Sequence, residues 1–140
     1  MMALVALMAA SMAAVVIPAS PAAARSTPEC ESYAYPYNQL GYMVAAPIGK
    51  YGVLPCSLVW GDGGPGTGAL QEALNDCYLA PARKTLLVED GSFGAKTYEA
   101  LRYAQGIAKV TVDGQFGPLT RAALKYPALT RGTSTCARLR

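Results

Sequence analysis

One phrase occurs twice in this chain. Residues 90–101 read Asp90-Gly91-Ser92-Phe93-Gly94-Ala95-Lys96-Thr97-Tyr98-Glu99-Ala100-Leu101, and residues 113–124 read Asp113-Gly114-Gln115-Phe116-Gly117-Pro118-Leu119-Thr120-Arg121-Ala122-Ala123-Leu124. Both are D-G-x-F-G-x-x-T-x-x-A-L. Each follows a short aliphatic or β-branched run, Leu86-Leu87-Val88 and Val110-Thr111-Val112. An internal repeat of this kind marks one supersecondary unit used twice.

The unit can be read physically. Asp-Gly signals a turn, because glycine adopts positive φ without a Cβ clash. The second glycine stands where a helix begins. Pro118 suits the first helical position and leaves Gly117 as the N-cap. Phe93 and Phe116 lie between turn and helix, where a ring can plug the space beneath the helix start. Thr97, Leu101 and Ala104 recur at i, i+4, i+7, as do Leu119, Ala123 and Tyr126. Each copy is therefore read as turn, aromatic plug and short amphipathic helix. Leu70, Ala73, Leu74, Cys77 and Tyr78 place a further helix upstream. The helices are expected at about 69–79, 95–106 and 118–126.

The stretch Ala69-Leu70-Gln71-Glu72-Ala73-Leu74-Asn75, followed by the two copies with Gln105 between them, resembles the small three-helix peptidoglycan-binding domain, a family usually appended to bacterial cell-wall hydrolases. The resemblance covers roughly residues 66–126. Cys77-Tyr78, with Cys56 upstream and Cys136 near the C-terminus, also resembles secreted stand-alone versions from actinobacteria. It implies a mainly α fold: a three-helix domain with repeated turn–helix units, plus an irregular, disulfide-stapled N-terminal segment.

Residues 1–24 carry no charge and are almost wholly apolar or small. Pro18 breaks the apolar run, and Ala22-Ala23-Ala24 offers an A-x-A cleavage site before Arg25. This reads as a secretory signal peptide, although no Lys or Arg precedes the run. The run falls short of the ~20 residues that span a bilayer. The organisation expected is a signal peptide over 1–24, a Tyr/Pro/Gly-rich stapled segment over 25–65, the peptidoglycan-binding-like domain over 66–126 and a C-terminal tail over 127–140. The tail is read as irregular and held by Cys136.

Four cysteines in an exported chain imply two disulfides, and sequence alone allows three pairings. The expected one is Cys30–Cys56, closing the N-terminal segment on itself, with Cys77–Cys136 tying the first helix to the tail. Each would stabilise by roughly 3–4 kcal/mol on the loop-entropy account. No C-x-x-C occurs, so neither zinc nor any other metal or cofactor is expected.

The chain has no histidine. That removes Ser-His-Asp and Cys-His catalysis and zinc hydrolases built on histidine ligands. A glycosidase needs only two carboxylates across a cleft, but the acidic residues do not form such a pair. Asp90 and Asp113 sit in turns, and Glu72 and Asp76 share a helix face at i, i+4. A non-enzyme is expected. The net charge of +3 favours solubility and encounter with an anionic wall. There is no basic run or nucleic-acid motif.

Asp90, Gly91, Phe93, Gly94, Thr97, Asp113, Gly114, Phe116, Gly117 and Thr120 are read as builders of the corner. Ligand contacts are expected from polar and aromatic groups beside it: Tyr98, Arg102 and Tyr103 on the second helix, and Gln115, Arg121 and Lys125 on or before the third. Sugar rings present C–H faces to aromatics, and stem-peptide carboxylates pair with arginine. Trp60 is expected to pack against a disulfide. The reading is a secreted or wall-associated, non-catalytic module for peptidoglycan, either glycan strand or stem peptide, with no membrane partner after signal cleavage. The alternative is a structural or protein-interaction protein that keeps the fold without wall affinity, for example a regulator of a secreted wall hydrolase or protease. The architecture also resembles the pro-domains of some metalloproteases, though no cysteine-switch sequence is present.

Overall fold

The computed structural model describes residues 27–130 and 132–140. The expected signal peptide lies outside them. The N-terminal arm forms β1 (Ser32–Ala34), β2 (Met43–Val44), β3 (Ala46–Ile48) and a 3₁₀ turn at Lys50–Gly52. Three helices follow, α1 (Pro65–Leu74), α2 (Ala95–Ala108) and α3 (Pro118–Ala123), and then the hairpin strands β4 (Tyr126–Thr130) and β5 (Thr133–Ala137).

This corrects the mainly α, three-helix expectation. Helix accounts for 34% of the described residues and extended pairing for 22%, with the named strands in two small sheets. β1 pairs antiparallel with β3, Ser32 opposite Ile48. β2, β4 and β5 form an antiparallel sheet, with Met43 opposite Leu129 and Tyr126 opposite Ala137. The tail is therefore a strand pair rather than irregular chain, and the arm supplies its third strand. The physical reason is the pairing demand of backbone polar groups. Neither arm nor tail has a helical period, so each pairs its amides as strands, partly within itself and, through β2 and β4, with the other. Along β4, buried Tyr126 and Ala128 alternate with less buried Pro127 and Leu129, the period of a half-buried strand.

The helix expected over 118–126 ends early for a related reason. Leu124 leaves α3 in extended conformation (ψ 157°). Pro127 disfavours helical backbone at the residue before it, so Tyr126 is extended and enters β4. Leu119, read as part of an apolar stripe, is 81% exposed. Thr97, Leu101 and Ala104 do form the buried face of α2. α1 begins at Pro65, earlier than expected, and gives way to a wider π-type turn at Asn75–Leu79. The side chain of Asn75 then holds the following loop. It accepts the Leu87 N–H at 2.7 Å and donates to the Leu87 carbonyl and to Glu89 Oε1.

The core gathers Val44, Leu58, Leu70, Leu74, Phe93, Leu101, Phe116, Leu124 and Tyr126. Cys30 is bonded to Cys56 and Cys77 to Cys136, with Cα separations of 5.1 and 5.7 Å. The first bond lies in the core. The second ties the turn after α1 to β5. Tyr78 and Tyr126 reinforce that junction. Lys125 N–H donates to Tyr78 Oη at 2.7 Å, and Tyr126 O–H donates to the Arg121 carbonyl at 2.8 Å.

Candidate functional site

The two copies fold into the same corner, and each is held by a glutamine from the preceding helix. Gln71 of α1 donates through Nε2 to Asp90 Oδ1, the Ser92 carbonyl and Thr97 Oγ1, at 2.9, 3.1 and 3.1 Å. Its Oε1 accepts the Gly91 N–H at 2.8 Å. Gln105 of α2 repeats the pattern on Asp113 Oδ1, the Gln115 carbonyl and Thr120 Oγ1, at 2.8, 3.0 and 3.1 Å. Its Oε1 accepts the Gly114 N–H at 2.9 Å. Asp90 and Asp113 also accept the N–H two residues on, closing an Asx turn. Gly91 and Gly114 have φ of 68° and 70°. The repeated Asp and Thr side chains and the Gly N–H groups thus spend their hydrogen bonds on the corner. Phe93 and Phe116 are its buried plugs.

The structure contains a third corner, which the two-copy reading of the sequence does not include. In Trp60-Gly61-Asp62-Gly63-Gly64-Pro65-Gly66-Thr67, Gly61 has φ 97° and the helix starts immediately after Gly64. Trp60 stands where the other corners have aspartate, and Gly63 where they have phenylalanine. Those two replacements hide the copy. The surviving signal is G-x-x-T, shared by Gly64–Thr67, Gly94–Thr97 and Gly117–Thr120. This corner also fastens the other two. Leu58 and Phe116 exchange N–H···O bonds at 2.8 Å, Gly61 N–H donates to the Phe93 carbonyl, and Phe93 N–H to the Asp62 carbonyl.

The wider open grooves beside the corners include two among the described residues. The first, about 820 Å³, runs beside the second complete corner. Asp113, Gln115, Leu119, Lys109, Arg138 and Arg140 are among its lining residues. The second, about 810 Å³, lies between α2 and the loop before it, with Arg83, Lys84, Lys96, Glu99 and Tyr103 in its wall. Both are wide surface troughs lined by long cationic side chains, suited to an extended ligand carrying carboxylates.

The residues nominated from sequence are dispersed over this surface. Gln115 lines the first groove and Tyr103 the second, where Lys84 Nζ stands 4.5 Å from the Tyr103 ring centre. Tyr98 and Arg102 lie together, the guanidinium 5.7 Å from the ring centre. Arg121 is half-buried and donates through Nε to the Pro47 carbonyl at 3.1 Å, which ties α3 to the arm. Burial lowers its pKa, opposed by Tyr126. Lys125 is exposed, and its backbone N–H is taken by Tyr78. Trp60 is 59% exposed, contrary to the expectation that it packs on a disulfide. Its ring lies beside Tyr98, centres 5.5 Å apart and planes inclined by 56°.

Two acidic groups are perturbed. Hydrogen bonds from Gln71 and then from the Ser92 N–H hold the Asp90 carboxyl below its ordinary value. Partial burial, followed by the nearby charges of Glu89 and Asp76, raises that of Glu72. Among the described residues no cluster of His, Cys, Asp or Glu could hold a metal. No helix there is long and apolar enough to cross a membrane.

Residues 63–124, which contain both complete corners and most of the third, match the model of a family described as "Putative peptidoglycan binding domain". The resemblance read from the repeat is thus shown for this segment. No curated protein and no solved structure matches the chain.

Proposed function

We propose that the chain is an exported, non-catalytic module that binds peptidoglycan through the groove beside its second complete corner. The carrying observation is the family match over residues 63–124. The cationic lining of the groove supports this location, since Lys109, Arg138 and Arg140 suit the carboxylates of stem peptides. The rigid corner sets one wall, and the tail, held by Cys77–Cys136, brings in the two arginines. In this reading residues 1–24 direct export, 25–65 and 127–140 brace the module, and the two disulfides suit an oxidising exterior. The lack of histidine throughout the chain agrees with binding without cleavage.

The test is co-sedimentation of purified protein with insoluble sacculi, with and without their teichoic acids. Saturable binding at low salt, weakened by Arg138→Ala with Arg140→Ala, and no release of sugar or peptide is the expected outcome. Failure to sediment would sink the binding claim. A sustained fall in sacculus turbidity would sink the non-catalytic one.

A further inference from the structure

We infer that Trp60, Tyr98 and Arg102 form a sugar platform that takes the apolar face of an amino sugar in a glycan strand, apart from the cationic groove. The inference deepens the wall-binding reading and rests on it for the identity of the glycan. It begins from an oddity of the first corner. At the position where Asp90 and Asp113 fold inward onto a glutamine, the chain places its only tryptophan and turns it outward. A large ring left 59% exposed loses the stabilisation of burial and gains nothing from a clamp.

The platform is built before any ligand arrives. Val59 N–H donates to Asp62 Oδ2 at 2.8 Å, and Gly61 N–H to the Phe93 carbonyl at 2.9 Å, so the backbone is fixed on both sides of Trp60. Tyr98 rests on Gly114. A Cβ at position 114 would stand 2.1 Å from the Tyr98 ring, so only glycine leaves room for the ring where it lies. Arg102, one helical turn on, brings its guanidinium to the same ring. Prepositioning of this kind lowers the ordering cost of binding.

The geometry selects the ligand class. The Trp60 and Tyr98 rings, centres 5.5 Å apart and inclined by 56°, meet at an angle and offer a small apolar surface rather than a broad flat one. Pyranose C–H faces stack on such rings, while Arg102 and the Tyr98 hydroxyl supply donors for hydroxyl and acetamido oxygens. A protein partner would need roughly 800 Å² on this side, far more than two rings provide. A stem peptide offers carboxylates, which suit the groove, but no comparable apolar face.

Because Trp60 is the sole tryptophan, its fluorescence reports the site directly. The full chain is titrated with N-acetylglucosamine oligosaccharides, with peptide-free glycan strands and with free stem peptides. Saturable change in Trp60 emission with one or both glycans, and none with the peptides, is expected. Trp60→Ala should weaken sacculus binding by at least tenfold, Tyr98→Ala by several-fold and Arg102→Ala by a few-fold, while Trp60→Phe retains part of it. Trp60→Ala should melt with the parent protein. Emission that ignores every glycan overturns the platform even if sacculi are bound. So does a Trp60→Ala protein that melts normally and binds sacculi as well as the parent. If soluble glycan strands bind while whole sacculi do not, the platform stands and the wall-binding reading falls.

Discussion

The two complete corners and the first corner each place a positive-φ glycine second and start a helix after the fifth residue. They differ at that fifth residue, φ 94° at Gly64 against −99° at Gly94 and −105° at Gly117, and in what their side chains do. At 90–97 and 113–120 the aspartate, threonine and turn N–H converge on a buried glutamine, and a phenylalanine plugs the base. At 60–67 there is neither plug nor glutamine, and the buried Thr67 hydroxyl has no hydrogen-bond partner among the described residues. What holds this corner is chiefly main chain, paired with Gly91 and Phe93, together with the Asp62 and Glu29 carboxylates, which accept the Val59 and Gly63 N–H groups. The difference teaches that backbone pairing can preserve the corner once its side-chain clamp is gone. Freed from the clamp, the leading position can carry an outward-facing ring.

The plugs offer the largest way to break that contrast. Phe93→Ala or Phe116→Ala should each cost about 3–5 kcal/mol in denaturant unfolding, the range for emptying a buried aromatic site. Against a total stability of about 5–15 kcal/mol, either change leaves the domain near its limit. Filling Gly63, the plug position of the first corner, should bring no matching gain. A Gly63→Ala protein more stable than the parent by as much as a Phe plug is worth would show that the first corner is merely an empty copy of the others.

The glutamines come next. Gln105→Ala leaves the buried Gly114 N–H without its acceptor and the Thr120 hydroxyl without its donor, for a cost of about 3 kcal/mol. Gln71→Ala should cost about 2 kcal/mol, because its bond to Gly91 is closer to solvent. The Gln71 corner also carries a pH signature. The pKa of Asp90 is lowered from 3.8 in the fold, so its contribution is complete above that value and is lost as pH falls from there through the lowered value of the folded state. Asp90→Asn should therefore flatten the acid limb of the stability profile, measured by unfolding at a series of pH values. An unchanged limb would show that the clamp does not favour the charged form.

How much of this was legible depends on which residues carry their reasons locally. The turn glycines, the Phe plugs and the starts of α2 and α3 each follow from a short string, so the doubled motif disclosed them. The roles of Gln71 and Gln105 lie in long-range bonds that no local pattern announces, although both residues are already present in the family-like stretch. The sheet was invisible for the same reason. β2 is two residues long and exists because Ala128 and Leu129 stand opposite it. The site was least legible. Tyr98 and Arg102 can be nominated from helix exposure, but their neighbour Trp60 comes from a corner whose diagnostic Asp and Phe are gone. The arginines of the first groove arrive from a tail that reads as irregular chain.

The glycine series separates the corners more finely. Gly114→Ala places a Cβ into the Tyr98 ring at φ 70°, Gly91→Ala sets one 3.0 Å from the Gly64 carbonyl oxygen at φ 68°, and Gly61→Ala meets nothing within 4 Å at φ 97°. All three carry the cost of positive φ, about 1–3 kcal/mol. Melting temperatures should place Gly61→Ala as the mildest. Gly114→Ala should also change Trp60 emission by moving its neighbour Tyr98. Silent fluorescence in that variant would mean the two rings are not coupled.

The smallest effect is the most discriminating, because it should change sign between corners. Thr97→Val and Thr120→Val each remove a hydroxyl that accepts from glutamine and donates to a backbone carbonyl. Each should cost about 1 kcal/mol or somewhat more, since the partners stay buried. Thr67 is fully buried, and its hydroxyl has no partner among the described residues. An unsatisfied buried hydroxyl costs about 1–3 kcal/mol on scales from protein mutants, and valine preserves the shape while removing it. Thr67→Val should therefore be neutral or stabilising by up to about 1 kcal/mol in chemical denaturation. A loss equal to that at Thr97 or Thr120 would show that the first corner has a polar clamp after all. Its backbone pairing would then not be what holds it, and the contrast between clamped and unclamped corners would fail.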